Sequence, residues 1–320
     1  MIDYILEIKD LTKEFGFVKS LDNINISVKK AEIYSIVGIK GAGKSTLVKI
    51  LGGYFPSNTY SGDIIIDGKI QHFFSPKDSV KSGISVVYQD HNLIDEMNIF
   101  ENILLGNELT TFGMISHKKE CDKTNQLLKE VCLKANPALK LSELSYGEQQ
   151  LVKIAKAIAK KAKILVFDEP AVGLTQYEFV NFISSLKKLK NNGITCIYLS
   201  HELKEVLNFS DRITILKDGK VICTEKNEDL DEEWVLTNMS GRKLERTKPV
   251  DVFLREHGIT KREKEIILSL IQGYVIKEIS DRLFISVNTV KTHVANIYQK
   301  LGVSQRMDLA NLFRGMDLFK

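Results

Sequence analysis

The chain has 320 residues and a net charge of +4, and 43% of its residues are hydrophobic while 27% are charged. These are the values of an ordinary soluble globular protein that is long enough for two domains. A membrane-spanning chain is excluded because no apolar run in the sequence reaches the roughly 18–20 residues that cross a bilayer. The opening MIDYILEIKD also lacks the pattern of a signal peptide. We therefore expect a cytoplasmic protein that would be peripheral at the inner face of a membrane only through a separate subunit.

From about residue 3 to 235, short apolar runs typical of strands alternate with helical stretches. The predicted strands are EIYSIVG, ISVVYQ, ILVFDEP and TCIYLSH, and the predicted helices are GKSTLVKILGG, LSYGEQQLVKIAKAIAKKA and QYEFVNFISSLKKLKNNG. Several of the strands are almost continuously apolar, as strands covered on both faces are. The alternation predicts an α/β domain with a largely parallel core sheet.

Changes of pattern suggest the domain boundaries. The segment from about 92 to 141 breaks the alternation, so we predict a helical insertion within a first domain of residues 1–239. Residues 240–257 are charged, contain a proline and are typical of a linker. From 258 to 320 only helical patterns occur, which predicts a small all-α domain. The four cysteines show no CxxC spacing and are expected to be reduced thiols.

A glycine-rich loop follows the predicted strand EIYSIVG. Gly38-Ile-Lys-Gly-Ala-Gly-Lys-Ser45 fits the phosphate-loop pattern GxxxxGK[ST] and stands between a predicted strand and a predicted helix. Its glycines let successive N–H groups converge on phosphate oxygens, and the helix adds its positive end. Lys44 would place a cation on the outer phosphates, and Ser45 would offer its hydroxyl to Mg²⁺. The alternative is a glycine-rich turn without a ligand, but the strand–loop–helix context favours the phosphate site.

The strand ILVFDEP ends in two carboxylates. Asp168 would hold Mg²⁺, directly or through water, and Glu169 would polarise the attacking water as a general base. Two acids at the end of a strand can also be no more than a solvated terminus. The phosphate loop upstream favours the catalytic interpretation.

Further segments complete a recognisable series. The segment 144–150, LSYGEQQ, resembles the LSGGQ-type signature of ABC ATPases. Gln89 in VVYQD resembles the Q-loop of that family, His201 in YLSHE its switch histidine, and Phe15 in KEFGFVKSL the aromatic residue that stacks on adenine. The order and spacing of these elements agree with the family over residues 3–235.

This resemblance implies an Mg²⁺-dependent ATPase that works as a head-to-tail homodimer. Ser145 and Gly147 of one copy would close over the nucleotide of the other, where a serine hydroxyl and a helix start suit a γ-phosphate. His201 would contact the same phosphate and act in catalysis with Glu169. The predicted Mg²⁺ ligands are Ser45, Gln89 and Asp168. The predicted ATP-binding residues are Phe15, Gly38, Gly41, Ala42, Gly43, Lys44, Ser45, Thr46, Gln89, Ser145, Gly147 and Asp168.

Longer segments narrow the subgroup. FGFVKSLDNINISV, YQDHNLIDEMNIFENILLGNELTTFGMIS and LTNMSGRKL resemble the first half of the ATPase subunits of monosaccharide importers, which carry two cassettes in one chain. This sequence departs from them because no second phosphate loop follows. Smaller departures are Ala31 where a glycine is usual, Lys40 where asparagine is usual, and AVGLT after Pro170. These departures leave the rate of turnover open.

The tail has the pattern of a helical domain with a basic surface. A capping box at Thr260–Glu263 opens a helix over 261–272, a short helix follows, and Ser286 can cap a third. The buried stripe of the third helix is Val290, Val294, Ile297 and Leu301. No acid occurs from 286 to 301, and residues 258–320 hold ten basic and six acidic residues, the whole positive excess of the chain. Such a surface suits DNA, although a polar helix face is usually only solvated.

The same segment resembles the LuxR-type helix-turn-helix over about 50 residues. The matching positions are Glu263, Gly273, Glu278, Ile279, Leu283, Ser286, Thr289, Val290, His293, Lys300 and Leu301. The resemblance implies that Lys291 and Thr292 address base edges of double-stranded DNA. It also implies backbone contacts from Ser286, Thr289, His293, Asn296 and Lys300. A fourth helix near Met307–Phe313 would pair two such domains.

These features leave several functions open. The leading hypothesis is a transcription regulator in which ATP closes two cassettes into a homodimer and so sets the distance between two DNA-reading tails. The alternative is an ATP-binding subunit of a sugar importer, docked on membrane permease subunits through the Gln89 region, with an accessory DNA-binding tail. A third interpretation keeps ATP and DNA binding without hydrolysis, and the presence of Glu169 and His201 argues against it. A fusion whose halves do not communicate is also open.

Overall fold

The computed structural model describes residues 4–89, 93–111, 114–230, 233, 235–236, 254, 257–283 and 285–313. The chain divides into two units, residues 1–227 and residues 228–320. Of the predicted linker, 240–257, all but residues 254 and 257 lie outside the described residues. Leu254 is buried in the core of the second unit, so this part of the predicted linker packs with the tail.

The first unit contains two large sheets and surrounding helices. Its strands are β1 (Tyr4–Phe15), β2 (Val18–Lys29), β3 (Ile33–Val37), β4 (Ser61–Ile66), β5 (Lys69–Gln71), β6 (Ile84–Val87), β7 (Thr110–Thr111), β8 (Met114–Ile115), β9 (Ile164–Asp168), β10 (Thr195–Ser200), β11 (Arg212–Lys217) and β12 (Lys220–Lys226). Its helices are α1 (Lys44–Leu51), α2 (Pro76–Lys81), α3 (Ile99–Leu104), α4 (His117–Glu130), α5 (Tyr146–Ala159), α6 (Gln176–Asn191) and α7 (Leu203–Val206).

The central sheet has the strand order β12-β11-β3-β10-β9-β6. All neighbouring strands in it are parallel except β11 and β12. The four strands predicted from the sequence, β3, β6, β9 and β10, are adjacent members of this sheet. Every residue of β3 and β10 is buried, as expected of strands covered on both faces. The predicted α/β fold class is therefore confirmed.

A second, antiparallel sheet with the order β2-β1-β4-β5 was not predicted. Its long strands alternate only in part between buried and exposed residues, and the register between β1 and β2 shifts at several points. One shift follows Ile8, next to Asp10, whose φ of 52° lies in the left-handed region. Such bulges interrupt the two-residue period from which a strand is recognised.

The insertion predicted at about 92–141 is helical only in part. It contains α3 and α4, but between them lies the short pair β7 and β8, in which Thr111 faces Met114. Asn102 of α3 is buried and holds the preceding loop, because its side-chain amide donates to the carbonyl oxygen of Ile94 at 2.9 Å and its oxygen accepts from the Ile94 N–H at 2.8 Å.

The described part of the second unit is helical. Its helices are α8 (Lys261–Ile271), α9 (Ile276–Leu283), α10 (Val287–Leu301) and α11 (Arg306–Leu312). The predicted capping box is present, since Thr260 Oγ1 accepts from the Glu263 N–H at 3.3 Å and Glu263 accepts from the Thr260 N–H at 2.8 Å. Gly302 closes α10 in the left-handed conformation. A core that includes Ile266, Ile279 and Ile297 joins the helices.

Across the described helices, none combines the length and the apolar character that crossing a membrane requires.

Candidate nucleotide site and nucleic-acid interface

The phosphate loop lies between β3 and α1, as the sequence predicts. Gly43 has a φ of 106°, and a Cβ there would lie 2.5 Å from the carbonyl oxygen of Ser20, so both the backbone conformation and the packing require glycine. Lys44 is buried, and its Nζ donates to the carbonyl oxygen of Gly38 at 2.6 Å and to that of Ile39 at 3.3 Å. These bonds fold the lysine back over the loop, so its ammonium faces the position expected for phosphates.

Two predicted catalytic residues meet the phosphate loop at the carboxyl ends of the parallel strands. Nζ of Lys44 lies 3.5 Å from Oε1 of Glu169, directly after β9, and Nδ1 of His201, directly after β10, lies 3.3 Å from Oε2 of the same carboxylate. The contact with His201 lacks hydrogen-bond geometry, so the buried Nδ1 of His201 has no hydrogen-bond partner among the described residues. Glu169 has a φ of 48° and its N–H donates to the carbonyl oxygen of Leu199 at 3.0 Å. This bond fixes Glu169, the candidate general base, at the carboxyl ends of the parallel strands.

An open cavity of about 270 Å³ adjoins Lys44 and Glu169, whereas His201 lines a separate, smaller pocket that Glu169 also lines. The residues that line the larger cavity are Ser20, Lys40, Gly41, Gly43, Lys44, Ser45, Thr46, Gln89, Asp168 and Glu169. The predicted Mg²⁺ ligands, Ser45, Gln89 and Asp168, are thus brought to one cavity with the phosphate-loop lysine. A hydroxyl, an amide oxygen and a carboxylate are oxygen donors of the kind Mg²⁺ takes alongside substrate phosphates, so the residues present fit Mg-ATP.

Two lining residues were not among the predicted site residues: Lys40, within the phosphate loop itself, and Ser20 of β2. Oγ of Ser20 lies 2.7 Å from Oγ1 of Thr46, the last predicted residue of the loop. No motif marks Ser20, because the two hydroxyls are 26 positions apart and meet only when the antiparallel sheet packs against α1.

The other predicted ATP-binding residues have different surroundings. Gly38 and Ala42 support the loop from behind, since a Cβ on Gly38 would lie 2.3 Å from the carbonyl oxygen of Leu216 and Ala42 is buried. Phe15 does not line the cavity. Its ring is 45% exposed and packs edge-on against Phe55 with the ring centres 5.4 Å apart. An exposed ring face is compatible with the predicted stacking on adenine, which stays a prediction.

Ser145 and Gly147, the predicted signature residues, lie outside the cavity and contact a residue that the sequence did not reveal. Oε1 of Glu178 accepts a hydrogen bond from Ser145 Oγ at 2.9 Å and another from the Gly147 N–H at 2.9 Å. Oε2 of the same side chain accepts from the Thr175 N–H and from Thr175 Oγ1. Bonds from Thr175, Ser145 and Gly147 lower the pKa of Glu178 to about 2. The T-x-x-E capping pattern at 175–178 was readable, but its contact with the signature loop was not.

The predicted DNA-facing helix is α10, whose side chains divide into two faces. Val290 and Ile297 are buried, while Val294 and Leu301 are partly buried against the same core. The predicted contact residues Ser286, Thr289, Lys291, Thr292, Asn296 and Lys300 are exposed, and His293 is half-buried. Ser286 caps the helix, because its Oγ accepts from the Thr289 N–H at 3.1 Å. An exposed, acid-free helix face is a surface that can approach a major groove.

One predicted DNA contact, Lys300, is engaged within the domain. Its Nζ donates to both carboxylate oxygens of Glu263, at 2.8 and 2.7 Å, and to the carbonyl oxygen of Gly258 at 2.9 Å. Burial raises the pKa of Glu263, but the bonds from Lys300 and Thr260 outweigh it, so the net shift is downward. An ammonium has three donors, and here all of them are taken. A structural role for Lys300 is the simpler interpretation, and its contact with DNA stays a prediction.

Comparisons with known proteins agree with both sets of motifs. Residues 21–172 match the family described as "ABC transporter", and residues 257–313 match "Bacterial regulatory proteins, luxR family". The chain is 50% identical over 249 residues to the xylose import ATP-binding protein XylG of Thermoanaerobacter pseudethanolicus, and 41% identical over 251 residues to the L-arabinose transport ATP-binding protein AraG of Geobacillus stearothermophilus. Each alignment covers 78% of this chain and 49% of the relative, so the chain spans about half the length of these curated relatives.

Solved structures show the same fold for the first unit. The ADP conformation of MJ1267, an ATP-binding cassette of an ABC transporter, superposes with a TM-score of 0.64 at 27% identity and covers 78% of this chain and 98% of MJ1267. The dimeric ATP-binding cassette MJ0796 with ADP and phosphate superposes with a TM-score of 0.59 at 29% identity, covering 69% of this chain and 98% of MJ0796. ABC cassettes bind ATP, generally with Mg²⁺, and are ATPases. The first unit therefore contains an ABC-type ATP-binding domain over the matched residues 21–172, and the tail carries, over residues 257–313, a domain of the luxR family of bacterial regulatory proteins.

Proposed function

We propose that the chain is a cytoplasmic, ATP-responsive transcription regulator. Two copies close head-to-tail around Mg-ATP, and this closure sets the spacing of two DNA-binding tails. The observation that carries the proposal is the coexistence in one chain of the Lys44–Glu169–His201 site with a luxR-family domain whose α10 presents an exposed, acid-free face. Half-site spacing is a geometric demand of dimeric helix-turn-helix proteins, so a switch that changes the spacing changes DNA binding.

Within the nucleotide site, each group has a defined task. Lys44 binds the outer phosphates, and Ser45, Gln89 and Asp168 hold Mg²⁺, which neutralises phosphate charge when bound. Glu169 accepts a proton from the attacking water, and Lys44, whose Nζ lies 3.5 Å from Oε1 of Glu169, holds the carboxylate beside the phosphate loop. His201, whose Nδ1 has no hydrogen-bond partner in the described part of the chain, contacts the terminal phosphate when the dimer closes. Hydrolysis then reopens the dimer and resets the spacing.

Footprinting tests the coupling. Equal amounts of the full chain are compared on DNA with Mg-ATP, with Mg-ADP and without nucleotide, at one salt concentration because phosphate contacts are salt-dependent. We expect protection of two half-sites with ATP and weaker or single protection otherwise. Identical protection in all three would discard the coupling. In a second experiment, the solution mass of the Glu169→Gln chain should double at saturating Mg-ATP. If this chain stays monomeric, the ATP-driven dimer is rejected.

A second candidate is an ATP-binding subunit of a pentose importer. It is favoured by the 50% identity with XylG, which is a xylose import protein. This function predicts co-purification with membrane permease subunits and loss of sugar uptake on Glu169→Gln. A chain that co-purifies with no permease yet protects DNA in an ATP-dependent manner would reject it.

A further inference from the structure

The carboxylate of Glu178 joins the start of α6 to the signature loop. Oε2 is held by Thr175, through the N–H at 3.0 Å and Oγ1 at 2.8 Å, which is a helix capping box. Oε1 is held by Ser145 Oγ and the Gly147 N–H, each at 2.9 Å. A capping box needs only one carboxylate oxygen, so the cap does not account for the bonds to Oε1.

The groups that hold Oε1 are the groups that the proposed dimer needs. A hydroxyl and an N–H at the start of a helix, here α5, are donors that suit a phosphate oxygen as well as a carboxylate oxygen. In this structure an oxygen with negative charge already occupies both donors. The side chain also packs closely, since a Cβ on Gly147 would lie 2.5 Å from Cγ of Glu178.

The contact is accessible to a second copy. Ser145 is exposed and Glu178 is half-buried, so the pair lies at the surface of the first unit. Glu178 is ionised at neutral pH, because the donors of Thr175, Ser145 and Gly147 lower its pKa to about 2. Its charge would repel a triphosphate brought to the same loop.

We propose that Glu178 is a positioning residue that holds the signature donors in the single copy and competes for them with the γ-phosphate of ATP bound to a second copy. The proposal rests on the ATP-driven dimer. Closure transfers Ser145 Oγ and the Gly147 N–H from Oε1 to the phosphate, while Oε2 keeps its bonds to Thr175. Glu178 therefore sets the ATP concentration at which two copies associate. It also links the start of α6, which follows the loop after β9, to the start of α5.

The test measures solution mass against Mg-ATP concentration for full chains that carry Glu169→Gln. Adding Glu178→Ala frees the signature donors and removes the repelling charge. We expect the ATP concentration at half-maximal association, the midpoint, to fall at least roughly tenfold, which corresponds to about 1.4 kcal/mol, because the two bonds to Oε1 no longer compete with the phosphate. The matched control adds Thr175→Ala instead, which weakens the helix cap but leaves both bonds to Oε1. The ATP concentration at its half-maximal association should not fall.

Several outcomes would overturn the proposal. An unchanged or higher midpoint for the Glu178→Ala chain overturns it while leaving the ATP-driven dimer intact. An equal fall for Thr175→Ala overturns it too, because the effect would then come from the start of α6. If no chain associates, both this proposal and the dimer fail. Should Glu178→Ala not fold, Glu178→Gln keeps the size and an acceptor oxygen without the charge, and its midpoint must also fall.

Discussion

Nζ of Lys44 lies 3.5 Å from Oε1 of Glu169, so one ion pair joins the phosphate loop to the end of β9. The side chains are 4% and 16% exposed, which places the pair largely out of water. Burial lowers the pKa of Lys44, and the negative charges of Glu169 and Asp168 raise it, with a net shift downward. The acid thus supports the charged form of the lysine before nucleotide arrives.

Replacing Glu169 should separate ATP binding from ATP turnover. Glu169→Gln removes the proton acceptor, so steady-state phosphate release should fall about 100-fold or more, while ATP binding is retained. Single-turnover assays and nucleotide-binding titrations measure the two effects. Glu202→Gln is the control, because Glu202 lies 3.9 Å from His201 and is 69% exposed. Wild-type turnover in Glu169→Gln would reject the assigned role.

Replacing Lys44 should weaken ATP binding itself. Lys44→Ala deletes the buried cation that faces the cavity, and the loss should weaken ATP affinity at least about tenfold, the effect of a charged hydrogen bond of about 1.5–3 kcal/mol. Lys49→Ala, an exposed lysine on the same helix, should bind ATP normally. Binding of a fluorescent ATP analogue measures both. Equal affinities would show that Lys44 serves only its contacts within the protein, with Gly38, Ile39 and Glu169.

Two lysines of α10 should behave differently. Lys300→Ala leaves the buried Glu263 without its main partner, so it should lower the free energy of unfolding of the tail by about 2 kcal/mol. Lys291→Ala should leave stability unchanged, and the loss of its predicted base contact should weaken DNA binding by about 1–3 kcal/mol and relax specificity at the contacted base pair. Thermal unfolding and DNA titrations with altered base pairs distinguish them. If Lys300→Ala does not change the free energy of unfolding, the structural role of Lys300 is rejected and its contact with DNA is favoured.

The Glu178 carboxylate predicts a particular dependence of stability on pH. Its pKa is lowered from 4.5 to about 2 in the folded chain, so its contribution is present above pH 4.5 and is lost as the pH falls towards 2. Wild type should therefore be more stable than Glu178→Gln at pH 7, and the difference should shrink between pH 4.5 and 3. Denaturant unfolding at each pH measures it. A difference that stays constant would mean that the charge of Glu178 does not stabilise the fold.

The parallel sheet and the cavity followed from local sequence, because each depends on short contiguous patterns. β9 and β10 are continuous apolar runs, and the phosphate loop carries its own glycines and lysine. The antiparallel sheet did not follow, since bulges break the alternation of β1. The contacts of Glu178 and Lys300 within the fold could not be inferred from spacing, because their partners Ser145 and Glu263 lie 33 and 37 positions away. Such pairs are defined by the packing of separate helices.

β12 is the outermost strand on one side of the central sheet, and it pairs with β11 alone in that sheet. The first unit ends at Asn227, directly after this strand. The segment that follows an outermost strand can be lengthened or replaced without breaking hydrogen bonds between the interior strands of the sheet. A segment exchanged after Asn227 would therefore leave the interior strand pairs of the central sheet, and the ends of β9 and β10 that carry Glu169 and His201, in place.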